Sequence, residues 1–221
     1  MDRKDQSEPP LDLMAQLHLS PATATSPVTD LLPEFAMRPV NALKPRCSMH
    51  EFFIQQAVSW STRSTCAKWQ VGCVLVHQGR VISTGYNGSV PGAQHCVDHW
   101  NEHWHDHCDA LSESDLLSGV DNLLSYLDTE DFRYRHRAWS RKNEVHAEQN
   151  AILFAAKVGH ATDGCTLYTS LSPCIDCSKS IVAAGIQAVY FNLRKDEEAL
   201  NFLTKHGVSV YHVSASPQES S

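Results

Sequence analysis

His146-Ala147-Glu148 and, further along, Pro173-Cys174-Ile175-Asp176-Cys177 decide how this chain is read. A zinc ion that does chemistry takes three protein ligands in a tetrahedral set and leaves its fourth position to water. Cys174 and Cys177 stand three apart at the predicted start of a helix, so both sulfurs share one face. A helix start carries partial positive charge and free N–H groups, and both favour thiolates. Pro173 fixes the entry to that helix and has no N–H to leave unpaired. His146, near the start of a second predicted helix, supplies a third ligand. Glu148, two residues on, reaches past it to the metal's water as a general base and acid, not as a ligand. Taken singly, His146 reads as well as a helix cap, Glu148 as a partner of the helix dipole, and the cysteines as core. Five such residues in order at two helix starts compound the coincidence, and the metal reading prevails.

Outward from this pair of motifs, helical and strand periods alternate. Glu144–Val158 is a long helical pattern ending at Gly159, Thr166–Ser170 a strand, and Cys174–Ala184 a helix ending at Gly185. Ala188–Asn192 is a strand, Glu197–Lys205 a helix ending near Gly207, and Val208–Val213 a last strand. Upstream, Met49–Thr62 sets Phe52, Phe53, Ala57, Val58 and Trp60 close to helical period. Val71–His77 and Arg80–Gly85 are β-branched runs joined by Gln78-Gly79, a hairpin. A hairpin followed by repeated α-β units predicts an α/β fold of three layers, a mixed five-stranded sheet with helices on both faces.

Residues 1–45 hold seven of the ten prolines and a Thr/Ser-rich run from Ser20 to Thr29. They are expected to be a disordered arm, with a short amphipathic piece at Leu11–Leu19. The domain is expected over 46–213, with an insertion at about 97–135 and a flexible tail at 214–221. The insertion opens with a run of His, Trp and acidic residues, then takes a helical pattern around Leu111–Leu127.

The 221 residues suffice for one sizeable core, and 42% hydrophobic with 19% charged residues fits a globular chain. A formal net charge of −7 argues against a surface that holds long nucleic acid, although a few local cations suffice for one phosphate. No run of ~20 apolar residues would span a membrane, and Met1 to Pro10 is polar with no apolar core of a secretory signal. A cytoplasmic setting is expected, host cytoplasm if the chain is viral. Thiols stay reduced there, so eight cysteines beside thirteen histidines point to metal ligation, not disulfides.

The flanking residues resemble one family. Gly85-Tyr86-Asn87-Gly88, Arg63-Ser64-Thr65-Cys66, Val145 through Ile152, and Leu167-Tyr168 leading to Ser172-Pro173-Cys174 are similar to deoxycytidylate (dCMP) deaminases, bacteriophage type. These belong to the cytidine/deoxycytidylate deaminase superfamily of zinc enzymes. The likeness covers about residues 49–213 apart from the insertion. Free-cytidine deaminases usually carry Cys where His146 stands, and tRNA adenosine deaminases lack the Gly-Tyr-Asn-Gly loop. Val90-Pro91-Gly92 departs from the pattern, since the family more often has its proline one place earlier.

The resemblance implies a cytidine-deaminase-like fold and hydrolysis of dCMP to dUMP and ammonia, supplying thymidylate synthesis. It further implies a homo-oligomer, often a hexamer, activated by dCTP and inhibited by dTTP. Zn²⁺ would be the cofactor at His146, Cys174 and Cys177. Phage-type relatives carry a second, structural zinc, and its ligands match Cys66, Cys96, His136 and Glu144. His95, His99 and Cys108 stand as competing ligands in the His-rich run, whose commoner meaning is a solvated polar face. Asn87, between two glycines, is a candidate for sugar or base contact, and Arg63 and Lys68 are candidate cations for a 5′-phosphate. For Gly85–Gly88 a plain turn is the competing reading. Two other classes stay open, a deaminase of dCTP or a nucleic-acid base and a catalytically silent nucleotide-binding regulator.

Overall fold

The computed structural model describes residues 46–110, 127 and 129–215, with the backbone alone for 104–110. The expected arm at 1–45, the rest of the 111–127 pattern and the tail from 216 lie outside the described residues. In chain order the elements are α1 (Met49–Ser61), β1 (Gly72–His77), β2 (Arg80–Tyr86), β3 (Gly88–Ser89) and α2 (Cys96–Ala110). Then come α3 (Glu130–Asn143), β4 (Glu144–Val145), α4 (Ala147–Lys157) and β5 (Thr166–Leu171). The chain ends on α5 (Ile175–Ala183), β6 (Ala188–Leu193), α6 (Glu197–Lys205) and β7 (Ser209–His212).

Five strands form one sheet in the order β2-β1-β5-β6-β7. β1 runs antiparallel to β2 and to β5, while β5, β6 and β7 are parallel. The hairpin closes through Gln78 and Gly79, both at positive φ (48° and 74°), the twist that a two-residue loop needs. The parallel strands are joined through α5 and α6, as parallel neighbours require.

β1 is buried along nearly its whole length, so its side chains divide between two cores. Cys73 and Leu75 pack with Ala147, Ala151, Ile181 and Leu203, from α4, α5 and α6. Val74 and Val76 pack on the other side with Phe53, Ile54 and Ala57 of α1. A strand covered on both faces shows no in-out alternation, and three layers result. α1 starts on a reciprocal cap, in which the Glu51 N–H donates to Ser48 Oγ and the Ser48 N–H donates to Glu51. Gly72 lets β1 begin hard against that helix, since a Cβ there would strike the Ala57 carbonyl and the Ser61 amide.

Two expectations need correcting. The helical pattern from Glu144 does not begin there. Glu144 and Val145 pair with Ser89 and Gly88 as a two-stranded ribbon, and the helix starts at Ala147. Glu144 (φ −104°, ψ 146°) and His146 (φ −71°, ψ 154°) are both extended, and alternation along an extended segment sends them to one side. The His-Trp-acidic run after Val97, where the sequence reading places no element, is helical as α2. Its inner face supplies Cys96 and Trp100 to a small core with Cys66 and Phe132, which ties α2 to α3.

Candidate metal centre and active-site cavity

His146 and Cys174 are the N-cap residues of α4 and α5, and neither side chain makes a cap hydrogen bond. N-caps favour side chains that satisfy the first free N–H groups. Here the imidazole and the thiol turn away from that role and toward each other. Cys174 Sγ lies 3.4 Å from His146 Nδ1, and Cys177 Sγ lies 3.3 Å from the same nitrogen. The donor atoms of His146, Cys174 and Cys177 all fall within 4.8 Å of one another, close enough for one ion. Two sulfurs and an imidazole suit a soft divalent cation such as zinc.

The three groups perturb one another's protonation. The contact with Cys177, helped by His146, brings the Cys174 thiol down to about 3 against the effect of burial. The contact with Cys174 in turn raises the Cys177 thiol, and burial adds to it. The Cys174 contact holds the His146 imidazole above its usual value. Glu148 is buried beside them, and the Cys177 thiol donates to its Oε2 at 3.5 Å. Burial raises the Glu148 carboxyl, opposed by a bond from its own backbone N–H and by nearby His146. A carboxyl pushed toward neutrality in a buried cleft is poised to give and take a proton.

Cys66, Cys96, His136 and Glu144 form a second cluster, again with donor atoms within 4.8 Å. His136 Nε2 lies 3.3 Å from Cys66 Sγ and 3.4 Å from Cys96 Sγ. The cysteines are free thiols, not a disulfide. Glu144 Oε1 is buried with no hydrogen-bond partner among the described residues. Such an orphaned carboxylate oxygen is costly unless a cation takes it, so the donor set fits a metal. Of the competing ligands, His95 lines a different cavity, and His99 stacks on Trp139 at 4.8 Å. The Cys108 side chain lies outside the described residues.

Both clusters border one cavity of about 250 Å³, walled by Glu144, His146, Glu148 and Cys174 among others. Asn87 also borders it, but its amide is engaged with the backbone. Its Nδ2 donates to the Trp69 carbonyl at 2.7 Å, and its Oδ1 accepts from the Val71 N–H at 2.8 Å. Asn87 therefore holds Trp69, another residue of the wall, in place. Gly85, Tyr86 and Gly88 border a second cavity of about 480 Å³ instead. Gly85 serves packing, since a Cβ would strike the Ala147 carbonyl and sit 2.6 Å from the Ala151 amide. The loop thus divides, Asn87 to one cavity and its neighbours to the other.

The two cations expected to meet a phosphate do not border either cavity. Arg63 is exposed beyond the end of α1, and the Lys68 ammonium lies over the Phe132 ring at 5.6 Å. The lysine and arginine that do border the first cavity are Lys195 and Arg137. No sequence signal marked them, because they come from the loop after β6 and from α3.

The profile of the family described as "Cytidine and deoxycytidylate deaminase zinc-binding region" matches residues 47–193. Deoxycytidylate deaminase of Enterobacteria phage T4 is 36% identical over 168 residues, covering 72% of this chain and 87% of that one. ComE operon protein 2 of Bacillus subtilis is 32% identical over 170 residues, covering 76% and 72%. The crystal structure of cyanophage S-TIM5 dCMP deaminase in complex with dCMP and dUMP matches with a TM-score of 0.53 at 26% identity. That match covers 77% of this chain and all of the other. Sharing its fold, its motifs and most of its length with these proteins, the chain belongs to the cytidine and deoxycytidylate deaminase family of zinc-dependent enzymes.

Proposed function

We propose that this enzyme hydrolyses dCMP to dUMP and ammonia, supplying dUMP for thymidylate synthesis. The observation that carries the reading is Glu148, buried against the His146-Cys174-Cys177 trio at the wall of one cavity. The relatives named deoxycytidylate deaminase and the S-TIM5 structure holding dCMP and dUMP support the choice of substrate. Zinc held by His146, Cys174 and Cys177 supplies Lewis-acid chemistry, lowering the pKa of water from ~16 toward ~7.

The chain's own residues do the rest. Glu148 takes a proton from the attacking water and delivers it to the ring nitrogen of cytosine, which makes C4 electrophilic. The hydroxyl oxygen adds to C4, and Glu148 then takes the proton of that new hydroxyl and passes it to the amine, so that the C4–N bond breaks as C4=O forms. Water is consumed, ammonia leaves, and the ring becomes uracil. Glu148 itself is buried, which shields this shuttle from bulk water. Product analysis of the purified protein against cytosine nucleosides, monophosphates and triphosphates tests the reading. It predicts dUMP from dCMP as the preferred conversion, and preference for dCTP or for a nucleic-acid base would overturn it.

The same reading gives Cys66, Cys96, His136 and Glu144 a second, structural zinc, supported by the orphaned Glu144 oxygen. The effectors dCTP and dTTP are assigned to the second cavity, which the Gly85-Tyr86 and Gly88 backbone borders. A homo-oligomer, a hexamer by resemblance, is in keeping with Leu153 and Phe154 on α4 and Val158 at its end, all apolar and exposed. No described helix is long and apolar enough to cross a membrane. A cytoplasmic location, host cytoplasm for a viral chain, is part of the proposal.

A further inference from the structure

We propose that Arg137 and Lys195 are the residues that recognise the 5′-phosphate and so make the enzyme prefer a mononucleotide to a nucleoside. This rests on the dCMP reading above. Among the described residues, these two are the lysine and arginine that border the cavity shared by His146, Glu148 and Cys174. Both are exposed while the trio and Glu148 are more buried, so the positive charge stands on the solvent side of the cavity wall.

Their neighbours in sequence make the contrast. Arg135 is paired with Asp131 at 2.9 Å and Arg194 with Glu197 at 2.5 Å. Arg137 and Lys195 form no ion pair among the described residues, so neither must abandon a carboxylate to take an anion. The one acid beside Lys195, Asp196, also borders the cavity, but its Oδ1 accepts from the Ala199 N–H at 3.0 Å as the cap of α6. Lys195 is also held in place. Its ammonium lies over the Trp69 ring, 4.2 Å from the centroid, and Asn87 fixes the Trp69 backbone. The Lys195 and Asp196 N–H groups donate to Ser172 Oγ at 2.8 and 3.2 Å, which ties this loop to the turn carrying Cys174.

The chemistry fits the arrangement. A guanidinium presents a planar fork to phosphate oxygens, and an ammonium supplies a compact charge beside it. Two cations from separate elements bordering one cavity recognise a dianionic monoester that a neutral nucleoside lacks. α3, which leads out of the insertion, thereby takes part in substrate choice through Arg137.

The test compares kcat/KM for dCMP and for deoxycytidine in the zinc-loaded full chain and in Arg137→Ala, Lys195→Ala and the double variant. Each single change is expected to lower kcat/KM for dCMP about ten- to hundredfold, mostly through KM, the size of a hydrogen bond to a charged group. The preference for dCMP over deoxycytidine should fall with it. Arg137→Lys should restore part of the preference, and Arg135→Ala, which alters a paired surface arginine, should leave it intact. Equal losses on both substrates would mark a merely structural role and overturn the proposal. So would variants that keep the full preference, in which case the dCMP reading itself still stands. A wild-type enzyme indifferent to the phosphate would overturn both.

Discussion

His146 and Cys174 each occupy a helix N-cap without capping it, and that choice of residue is where the chemistry is visible. Serine at such a position would satisfy a helix N–H and stabilise by ~1 kcal/mol. The two ideas about His146, cap or ligand, therefore predict opposite results for His146→Ser. In the presence of a chelator the variant should be as stable as the wild type or slightly more so by thermal unfolding, and without chelator its bound zinc should be lower by about one per chain. Retention of that zinc would contradict the ligand role. The site residues were legible in the sequence because helix starts and the Cys-x-x-Cys spacing are local features. The cations proposed for the phosphate were not. Arg63 and Lys68 are cations near the matching motifs in sequence, whereas Arg137 and Lys195 border one cavity only because the fold brings α3 and the loop after β6 to it. Nothing local in either stretch announces that.

At the scale of elements, the second cluster binds α2 and α3 to the turn after α1. Cys66, Cys96, His136 and Glu144 come from four separate places in the chain, and their shared core with Trp100 and Phe132 is small. A bound ion there closes the long loop of the insertion onto the domain. Metal analysis of desalted protein should give about two zincs per chain, and about one for Cys96→Ser. One zinc in the unaltered protein would refute the second site. Phe132 is fully buried in the same core, so Phe132→Ala should cost roughly 3–5 kcal/mol in denaturant unfolding. A loss well under 1 kcal/mol would mean the helix pair adds little to the domain. The long periodic elements, α1, the hairpin and the parallel units, were all readable from sequence. β4 was not, since two residues carry no period, and the start of α4 was placed too early for that reason. α2 was missed because its polar histidines hid the inward spacing of Cys96 and Trp100.

For the whole molecule, the mixed sheet places the two motif helices, α4 and α5, side by side on one face. The order β2-β1-β5-β6-β7 then sets the turn after β5 beside the start of α4. Fold and function are joined at that point, because His146 and Glu148 come from one segment while Cys174 and Cys177 come from another. Assembly and control belong to the same scale. Light scattering should report an oligomer, a hexamer by resemblance, and dCTP should raise activity at low dCMP while dTTP lowers it. A monomer with kinetics unmoved by either nucleotide would refute both. The central claim is that Glu148 carries the proton in zinc-dependent deamination of dCMP. It is tested most directly by measuring dCMP turnover in wild-type and Glu148→Gln proteins matched for zinc content. The wild type should release dUMP and ammonia, and the variant should keep its zinc and fold while turning over about 10²–10⁴ times more slowly. Near-normal turnover by the variant, or no dUMP from the zinc-loaded wild type, would contradict it.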